Sequence, residues 1–197
     1  MKLAGEGAEA KIYQTTFFKE KVMVKRRIEK KYRVKALDEA IRKERTKKEA
    51  KILANLYLSG VNCPKLIFCD PNKYEIYFSI IKGKLARNSK LERNFFKKAG
   101  EQLALMHEGG VIHGDYTTSN LMISKGKVYV IDFGLSDFSK IAEEQATDLL
   151  LFKKGASGEN FKEFTRAYAK IKKNASGVFK KMSEIEKRGR YVVRKMT

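Results

Sequence analysis

The spacing of apolar residues changes character along this chain. Four short apolar stretches in the first part predict strands: Ala10–Tyr13, Lys21–Val24, Pro64–Cys69 and Tyr74–Ile81. Between them, from about Leu37 to Leu58, apolar residues recur at steps of three and four, and Gly60 stands where such a helix would end. We interpret the opening Met1–Val24 as three small antiparallel strands, which include the first two stretches, and the first part of the chain as a small antiparallel lobe ordered β-β-β-α-β-β, with one helix.

After residue 82 the pattern becomes mostly helical. Three apolar stripes at helical spacing predict three helices, at Phe96–Met106, Phe161–Ile171 and Val178–Ile185. Two short strands, Leu121–Ile123 and Val128–Ile131, are predicted between the first and second of these helices. We expect an α+β fold with an N-terminal lobe at 1–82, a C-terminal lobe at 83–186 and a basic tail at 187–197.

Two motifs in the second part carry the chemistry. His113–Asn120 fits the pattern H-x-D-x-x-x-x-N, and Asp132–Gly134 reads Asp-Phe-Gly after a strand, a turn and a second strand. This combination is typical of a kinase catalytic loop, whose chemistry needs a carboxylate beside the attacking hydroxyl and oxygen ligands for Mg²⁺. The sequence thus predicts a minimal two-lobed kinase-like fold that uses ATP and Mg²⁺. Asp115 is the predicted catalytic base, and Asn120 and Asp132 are the predicted metal ligands.

The first lobe supplies candidates for holding the nucleotide phosphates. A phosphate-covering loop is predicted at Gly5, Glu6, Gly7 and Ala8, where glycines let backbone N–H groups approach phosphate oxygens. Ala10 stands where the usual pattern has a third glycine. Lys25 ends an apolar strand and can reach the phosphates. Its predicted anionic partner is Glu49 on the apolar stripe of the helix, with Glu44 as the rival.

Other positions are assigned supporting roles. The junction of the lobes, at Phe78, Ser79, Ile80 and Ile81, is expected to hold an adenine edge through backbone groups, with Phe78 at the rear of the pocket. These side chains do not specify ATP over GTP. His107 and His113 are predicted to orient backbone and not to act as bases or metal ligands.

The charge balance points to a polyanionic partner. The 197 residues include 43 Lys+Arg and 23 Asp+Glu, which leaves a formal charge of +20. Such a surface attracts RNA, DNA or an acidic protein, while a lysine-rich surface adapted to heat is the alternative. Cys63 and Cys69 form no CxxC pair, and the apolar runs fall short of the roughly 20 residues that cross a bilayer. We expect a cytoplasmic protein without a membrane partner.

Taken together, these motifs resemble a known family. The loop Gly5–Ala10, the helix segment Arg45–Ala50, the His113–Asn120 loop and Ile131–Ser136 are similar to those of the small atypical kinase of the KEOPS complex, over nearly the whole chain. The resemblance implies an ATP-dependent Ser/Thr kinase or ATPase that binds the Kae-type subunit and other KEOPS subunits. It also implies a role in forming threonylcarbamoyl-adenosine in tRNA.

The end of the chain is basic, as it is in that family. Its cations are Lys187, Arg188, Arg190, Arg194 and Lys195. We expect tRNA to contact the basic surface and this tail, and a disordered solubilising tail is the alternative.

Two departures from ordinary protein kinases change the expected activity. Thr117 stands where many kinases have a lysine, and no Ala-Pro-Glu motif follows Asp132–Gly134. We therefore expect poor phosphorylation of arbitrary peptides, and autophosphorylation or ATP hydrolysis instead, with Ser136 and Ser139 as conceivable acceptors. Two alternatives stay open: a small-molecule kinase of the aminoglycoside or choline type, and a non-catalytic scaffold for RNA and protein.

Overall fold

The N-terminal part of the molecule is an antiparallel sheet backed by one long helix. The computed structural model describes residues 1–156 and 158–194. The elements here are β1 (Lys2–Glu6), β2 (Ala10–Phe17), β3 (Glu20–Arg27), α1 (Lys35–Leu58), β4 (Leu66–Asp70) and β5 (Glu75–Ser79). The strand order is β1-β2-β3-β5-β4, and α1 packs against β4 and β5. The predicted order of strands and helix is confirmed.

Strand β3 determines which side chains face the cleft between the sheet and the rest of the molecule. Val22 and Val24 are fully buried on one face of this strand. Because side chains alternate along a strand, Met23, Lys25 and Arg27 lie on the opposite face, toward α1. Lys25 is paired in register with Ile12 of β2 and Ile76 of β5.

The C-terminal part is mostly helical. Its elements are β6 (Lys84–Leu85), α2 (Arg93–Glu108), β7 (Val111–Ile112), β8 (Leu121–Ser124), β9 (Lys127–Val130), β10 (Asp137–Phe138), α3 (Ala142–Lys153), α4 (Gly158–Ile171) and α5 (Ala175–Arg194). Strands β6, β8 and β9 form one small sheet, and β7 pairs with β10. The sequence analysis did not predict α3.

An aromatic core holds the helices together. The rings of Phe152 on α3 and Phe164 on α4 stack with centroids 4.2 Å apart. Helix α2 comes close to α4 at Gly100, where a Cβ atom would collide with the carbonyl oxygen of Phe164. Tyr116 is fully buried beside these rings, and its hydroxyl donates to the carbonyl oxygen of Ala99 at 2.7 Å. This bond fastens the loop that contains Asp115 to the core.

The last helix extends into the segment predicted to be a tail. Helix α5 continues to Arg194, and residues 195–197, including Lys195, lie outside the described residues. Within residues 1–156 and 158–194, none of the helices has the length and apolar character needed to span a bilayer.

Candidate active site

The predicted pairing of Lys25 with Glu49 is confirmed. The Lys25 ammonium lies 2.6 Å from Glu49 Oε1, and both side chains are buried. Glu44, the rival partner, is exposed on the outside of α1. Glu49 was preferred because it lies on the apolar stripe of the helix, and that stripe does face the sheet.

Lys25 also contacts the C-terminal part of the molecule. Its ammonium lies 2.8 Å from Asp132 Oδ1. Burial opposes protonation of Lys25, but the negative charges of Glu49 and Asp132 outweigh it, so the pKa of Lys25 is raised. Burial likewise opposes ionisation of Asp132, yet the charge of Lys25 prevails and the pKa of Asp132 is lowered. Both groups are therefore charged at neutral pH.

The backbone at Asp132 is unusual. Its φ angle of 61° lies in the left-handed region, which few non-glycine residues adopt. Such conformations cost roughly 1–3 kcal/mol and concentrate at functional sites. The Gly134 N–H donates to Asp132 Oδ1 at 3.3 Å and helps to fix this carboxylate beside Lys25.

The other predicted metal ligand, Asn120, is bonded to the predicted base. The Asn120 side-chain amide donates to Asp115 Oδ2 at 2.7 Å and to the Asp115 carbonyl oxygen at 2.9 Å. These bonds use the nitrogen of the amide and leave its oxygen for other partners. An amide oxygen and a carboxylate are hard ligands that suit Mg²⁺, so Asn120 and Asp132 fit a magnesium ion.

Asp148 on α3 holds the loop around Asp115, and the sequence analysis did not recognise it. Its two carboxylate oxygens accept the backbone N–H groups of His113 at 2.7 Å and Gly114 at 2.8 Å. Gly114 has φ 78°, and a Cβ atom there would approach the carbonyl oxygen of Leu135 too closely. A buried acid 34 residues beyond Gly114, on the next α-helix, gives no pattern that sequence reasoning can find.

His113 orients backbone as predicted, whereas the His107 side chain bonds to two other side chains. His107 Nε2 lies 3.2 Å from Asp148 Oδ2, so this nitrogen donates, and Nδ1 accepts the Tyr168 hydroxyl at 2.8 Å. His113 Nδ1 accepts the backbone N–H of Asp115 at 3.2 Å. Burial lowers the pKa of each histidine, which keeps both neutral.

A cleft of about 390 Å³ brings most of the candidates together. Its polar lining contains Lys25, Glu49, Asn120 and Asp132, and its apolar lining contains Ile12, Met23, Phe78 and Ile81. Ser79 also lines it, but its N–H already donates to the Lys65 carbonyl oxygen at 2.9 Å. Free backbone groups for an adenine edge would therefore come from Ile80 and Ile81.

The predicted phosphate-covering loop does not line this cleft. Gly5, Glu6, Gly7 and Ala8 are absent from its walls. The Gly7 N–H donates to the Ala10 carbonyl oxygen at 2.9 Å and closes the turn between β1 and β2. Neither glycine has a positive φ, and no atom lies within 4 Å of a Cβ added at Gly5. The fold itself does not require glycine here.

The chain belongs to the RIO domain family of atypical kinases, whose model matches residues 4–152. Among its relatives is the KEOPS complex subunit Bud32 of Pyrococcus abyssi, 38% identical over 97% of this chain and 96% of that protein. A probable bifunctional tRNA threonylcarbamoyladenosine biosynthesis protein of Methanosphaera stadtmanae is 40% identical over 95% of this chain. The chain spans only 36% of the length of that bifunctional relative.

The fold matches those of two solved structures. The Rio2 kinase of Chaetomium thermophilum, solved as an ADP/Mg²⁺-phosphoaspartate complex, superposes with a TM-score of 0.68 at 16% identity, over 96% of this chain and 66% of that one. WaaP, solved with acyl carrier protein, gives a TM-score of 0.63 at 15% identity, over 95% of this chain and 88% of that one. At such low identity the likeness is one of fold, and it agrees with the predicted two-lobed kinase-like architecture.

Substitution of Gly7 will test whether the predicted loop contacts the nucleotide, without lowering the stability of the fold. In Gly7→Ala the new methyl group meets only the Ala10 carbonyl oxygen, at an ordinary 3.7 Å. We expect the melting temperature to stay the same or to rise, because alanine restricts the unfolded chain and stabilises by about 0.4–1 kcal/mol. If the loop approaches phosphates, ATP affinity measured by calorimetry will fall. Unchanged affinity would remove the loop from the nucleotide site.

The buried His107 predicts a loss of stability in mild acid. Its folded-state pKa is lowered, while the unfolded value is about 6.5. Below that pH the unfolded chain binds a proton that the folded protein does not, so the melting temperature will fall between about pH 7 and 5. His107→Gln, which keeps a donor for Asp148, should flatten this profile. The pH dependence of the melting temperature that remains in this variant would come from His113. If the parent and His107→Gln had identical profiles of melting temperature against pH, the loss of stability would not be due to His107.

Proposed function

We propose that this chain is an ATP-dependent serine/threonine protein kinase with ATPase activity, acting as a KEOPS subunit that supports threonylcarbamoyl-adenosine formation in tRNA. One observation carries the proposal. Lys25, Glu49, Asn120 and Asp132 meet in one cleft beside Asp115, in a chain that matches a KEOPS subunit over nearly its full length. Its partners would be the Kae-type subunit and other KEOPS subunits, and its compartment the cytoplasm.

Each side chain has a distinct part in this mechanism. The adenine lies between the apolar walls at Met23 and Phe78, and its edge meets backbone groups at Ile80 and Ile81. Lys25, held by Glu49, binds the α- and β-phosphates. Asn120 and Asp132 would hold Mg²⁺, which neutralises charge that develops on the phosphates. In these assignments the adenine ring contacts the apolar wall of the cleft, and the phosphates contact its charged wall.

Asp115 acts on the attacking hydroxyl or water. Its carboxylate accepts the proton of the attacking group as the new bond to the γ-phosphorus forms, while the bond from that phosphorus to the β–γ bridging oxygen breaks and ADP leaves. The Asn120 amide orients the carboxylate through Oδ2. Oδ1 is then the oxygen left to receive the proton. Thr117 supplies no positive charge to the transferred phosphoryl group, so Lys25 and the metal must supply it.

The surroundings of Asp115 favour hydrolysis or autophosphorylation over the modification of peptides. Only a short segment separates Gly134 from α3, which leaves little surface on which a peptide can be aligned. Ser136 is a poor acceptor in this conformation, because its hydroxyl is buried and donates to the His113 carbonyl oxygen at 3.0 Å. Ser139 is less buried and remains a candidate.

Substitutions at the two aspartates will test the catalytic assignment. Asp115→Asn should lower ATP turnover by about 10²–10⁴, since a general base contributes on that order, while nucleotide affinity stays near that of the parent. Asp132→Ala should weaken ATP binding in the presence of Mg²⁺. Turnover is measured with radiolabelled ATP, with and without the Kae-type subunit.

The controls separate the proposed function from its alternatives. Asp137→Asn removes an exposed acid that pairs with Lys48, and it should leave both quantities unchanged. Turnover that survives Asp115→Asn would refute the assignment of the base. A parent protein that binds tRNA and the Kae-type subunit but never turns over ATP would be a scaffold, and phosphate transfer to amino alcohols would make it a small-molecule kinase.

The surplus positive charge supports tRNA as a further partner. Four exposed lysines lie together beside the hinge, and we call them the hinge-side lysines: Lys82, Lys84, Lys125 and Lys127. The pairing of β6 with β8 and a 2.5 Å bond from the Ser124 hydroxyl to the Lys82 carbonyl oxygen bring them together. No ion pair to them is found within the described residues. Such a surface suits the regularly spaced phosphates of RNA.

A salt series will test this surface and the basic residues from Lys187 to Lys195. One variant replaces the hinge-side lysines with Gln, and another replaces Lys187, Arg190, Arg194 and Lys195, leaving Arg188 in its pair with Glu143. Each phosphate contact contributes about 0.7–0.9 to the slope of log affinity against log salt, so each variant should flatten that slope by about three units. The preference among RNA sequences should not change.

The matched control removes the same charge elsewhere. Replacing the exposed lysines of α1, at Lys35, Lys43, Lys47 and Lys51, should leave the slope unchanged. All proteins are assembled with the Kae-type subunit before tRNA is added. Parallel slopes for the parent and both variants would remove these surfaces from the RNA interface, and would leave the charge to heat adaptation or protein docking.

A further inference from the structure

A chain of ion pairs of alternating sign runs from α1 through the loop between β1 and β2 to Asp132. Its members, in order of contact, are Arg45, Glu9, Arg27, Glu49, Lys25 and Asp132. The last three belong to the site already described. The first three have no part in that site, and sequence analysis assigned them none.

Glu9 connects the segment between β1 and β2 to this series of ion pairs. It directly follows the predicted phosphate-covering residues Gly5–Ala8 and precedes β2, and its two oxygens lie 2.6 and 2.5 Å from Arg45 Nη1. Glu9 Oε2 also lies 3.5 Å from Arg27 Nη1. The loop backbone is fastened at the same point, because the Ile28 N–H donates to the Glu9 carbonyl oxygen at 3.1 Å. The bond with Arg45 lowers the pKa of Glu9, so the link is charged at neutral pH.

Arg27 joins that loop to the catalytic lysine. Its guanidinium is buried, and its second terminal nitrogen donates to Glu49 Oε2. Glu49 thus holds one cation on each oxygen, Arg27 on Oε2 and Lys25 on Oε1. A planar guanidinium with fixed donor directions sets the orientation of the carboxylate it binds. Arg27 therefore determines where Glu49 holds Lys25.

In this series of ion pairs each cation lies beside an anion. ATP binding would change the contacts of Asp132, at one end of the series. If Asp132 held a metal ion, Glu49 would remain as the carboxylate partner of Lys25 among the described residues. Glu49 in turn is shared with Arg27, whose other carboxylate partner is Glu9. Without Glu9, the single charge of Glu49 must compensate two buried cations, which is unfavourable in a site of low dielectric.

We propose that Glu9, Arg27 and Arg45 are positioning residues, which hold the β1–β2 loop and Lys25 in one fixed relation to each other and, if that loop covers the nucleotide as predicted, to its phosphates. This inference rests on the proposed kinase function. Arg45 and Glu49 lie four residues apart on the same face of α1, so one rigid helix carries both anchoring charges. Loop and lysine are then coupled through α1.

The test begins with Glu9 and Arg45, because their side chains are partly exposed and their loss should not unfold the protein. In Glu9→Gln and in Arg45→Gln we expect the KM for ATP to rise and kcat/KM to fall about three- to tenfold, the range of coupling within one charge network. The double variant should be no worse than either single one. Arg45→Lys, which keeps the charge, should recover part of the loss.

A second measurement needs no turnover. Amide hydrogen exchange of residues 5–9 in the nucleotide-free protein should be faster in Glu9→Gln than in the parent, since the loop has lost its charged tether. Melting temperatures are recorded for every variant. A merely structural role would lower the melting temperature and leave KM and loop exchange at their parental values.

Glu163→Gln is the matched control. Glu163 on α4 also accepts two arginines, Arg93 and Arg166, but far from the nucleotide cleft. It should leave KM and loop exchange unchanged. If the parent turns over ATP and Glu9→Gln has the same KM and the same loop exchange, the inference is wrong. If the parent shows no turnover that depends on Asp115, the proposed function fails, and loop exchange still decides whether Glu9 tethers the loop.

Discussion

The buried ion pair between Lys25 and Glu49 is the constraint on which the rest of the site depends. Removing two charges from water costs several kcal/mol for each ion, and the pair is favourable only if its geometry is kept. Strand β3 must therefore hold a fixed distance to α1, and the loop that contains Asp132 must reach the same point. The cleft is the space that these fixed charges leave beside the apolar sheet.

Asp148 has the corresponding task in the helical part. It accepts the two successive backbone N–H groups of His113 and Gly114, and it also accepts a hydrogen bond from His107 Nε2. Tyr116 fixes the same loop to α2 from the other side. Buried hydrogen bonds thus hold the backbone on both sides of Asp115.

Much of the site was predictable, because its residues lie in short motifs with fixed spacing. The loop from His113 to Asn120 places the predicted base and a predicted metal ligand within a few residues, and the strand before Lys25 fixes the direction of its side chain. Most helices were predictable for a similar reason, since their apolar stripes have the helical period. Helix α3 was missed because it buries the polar residues Gln145 and Asp148, which interrupts its stripe.

The sequence by itself determined the order of strands and helix in the N-terminal part and the choice of Glu49 over Glu44. Only the tertiary structure decided which distant charges meet: Arg27 and Arg45 with Glu9, and Asp148 with the backbone of the catalytic loop. The reason is physical. An arginine in a basic chain looks the same whether it faces solvent or a buried carboxylate, because partners far apart in sequence are selected by packing and not by local pattern.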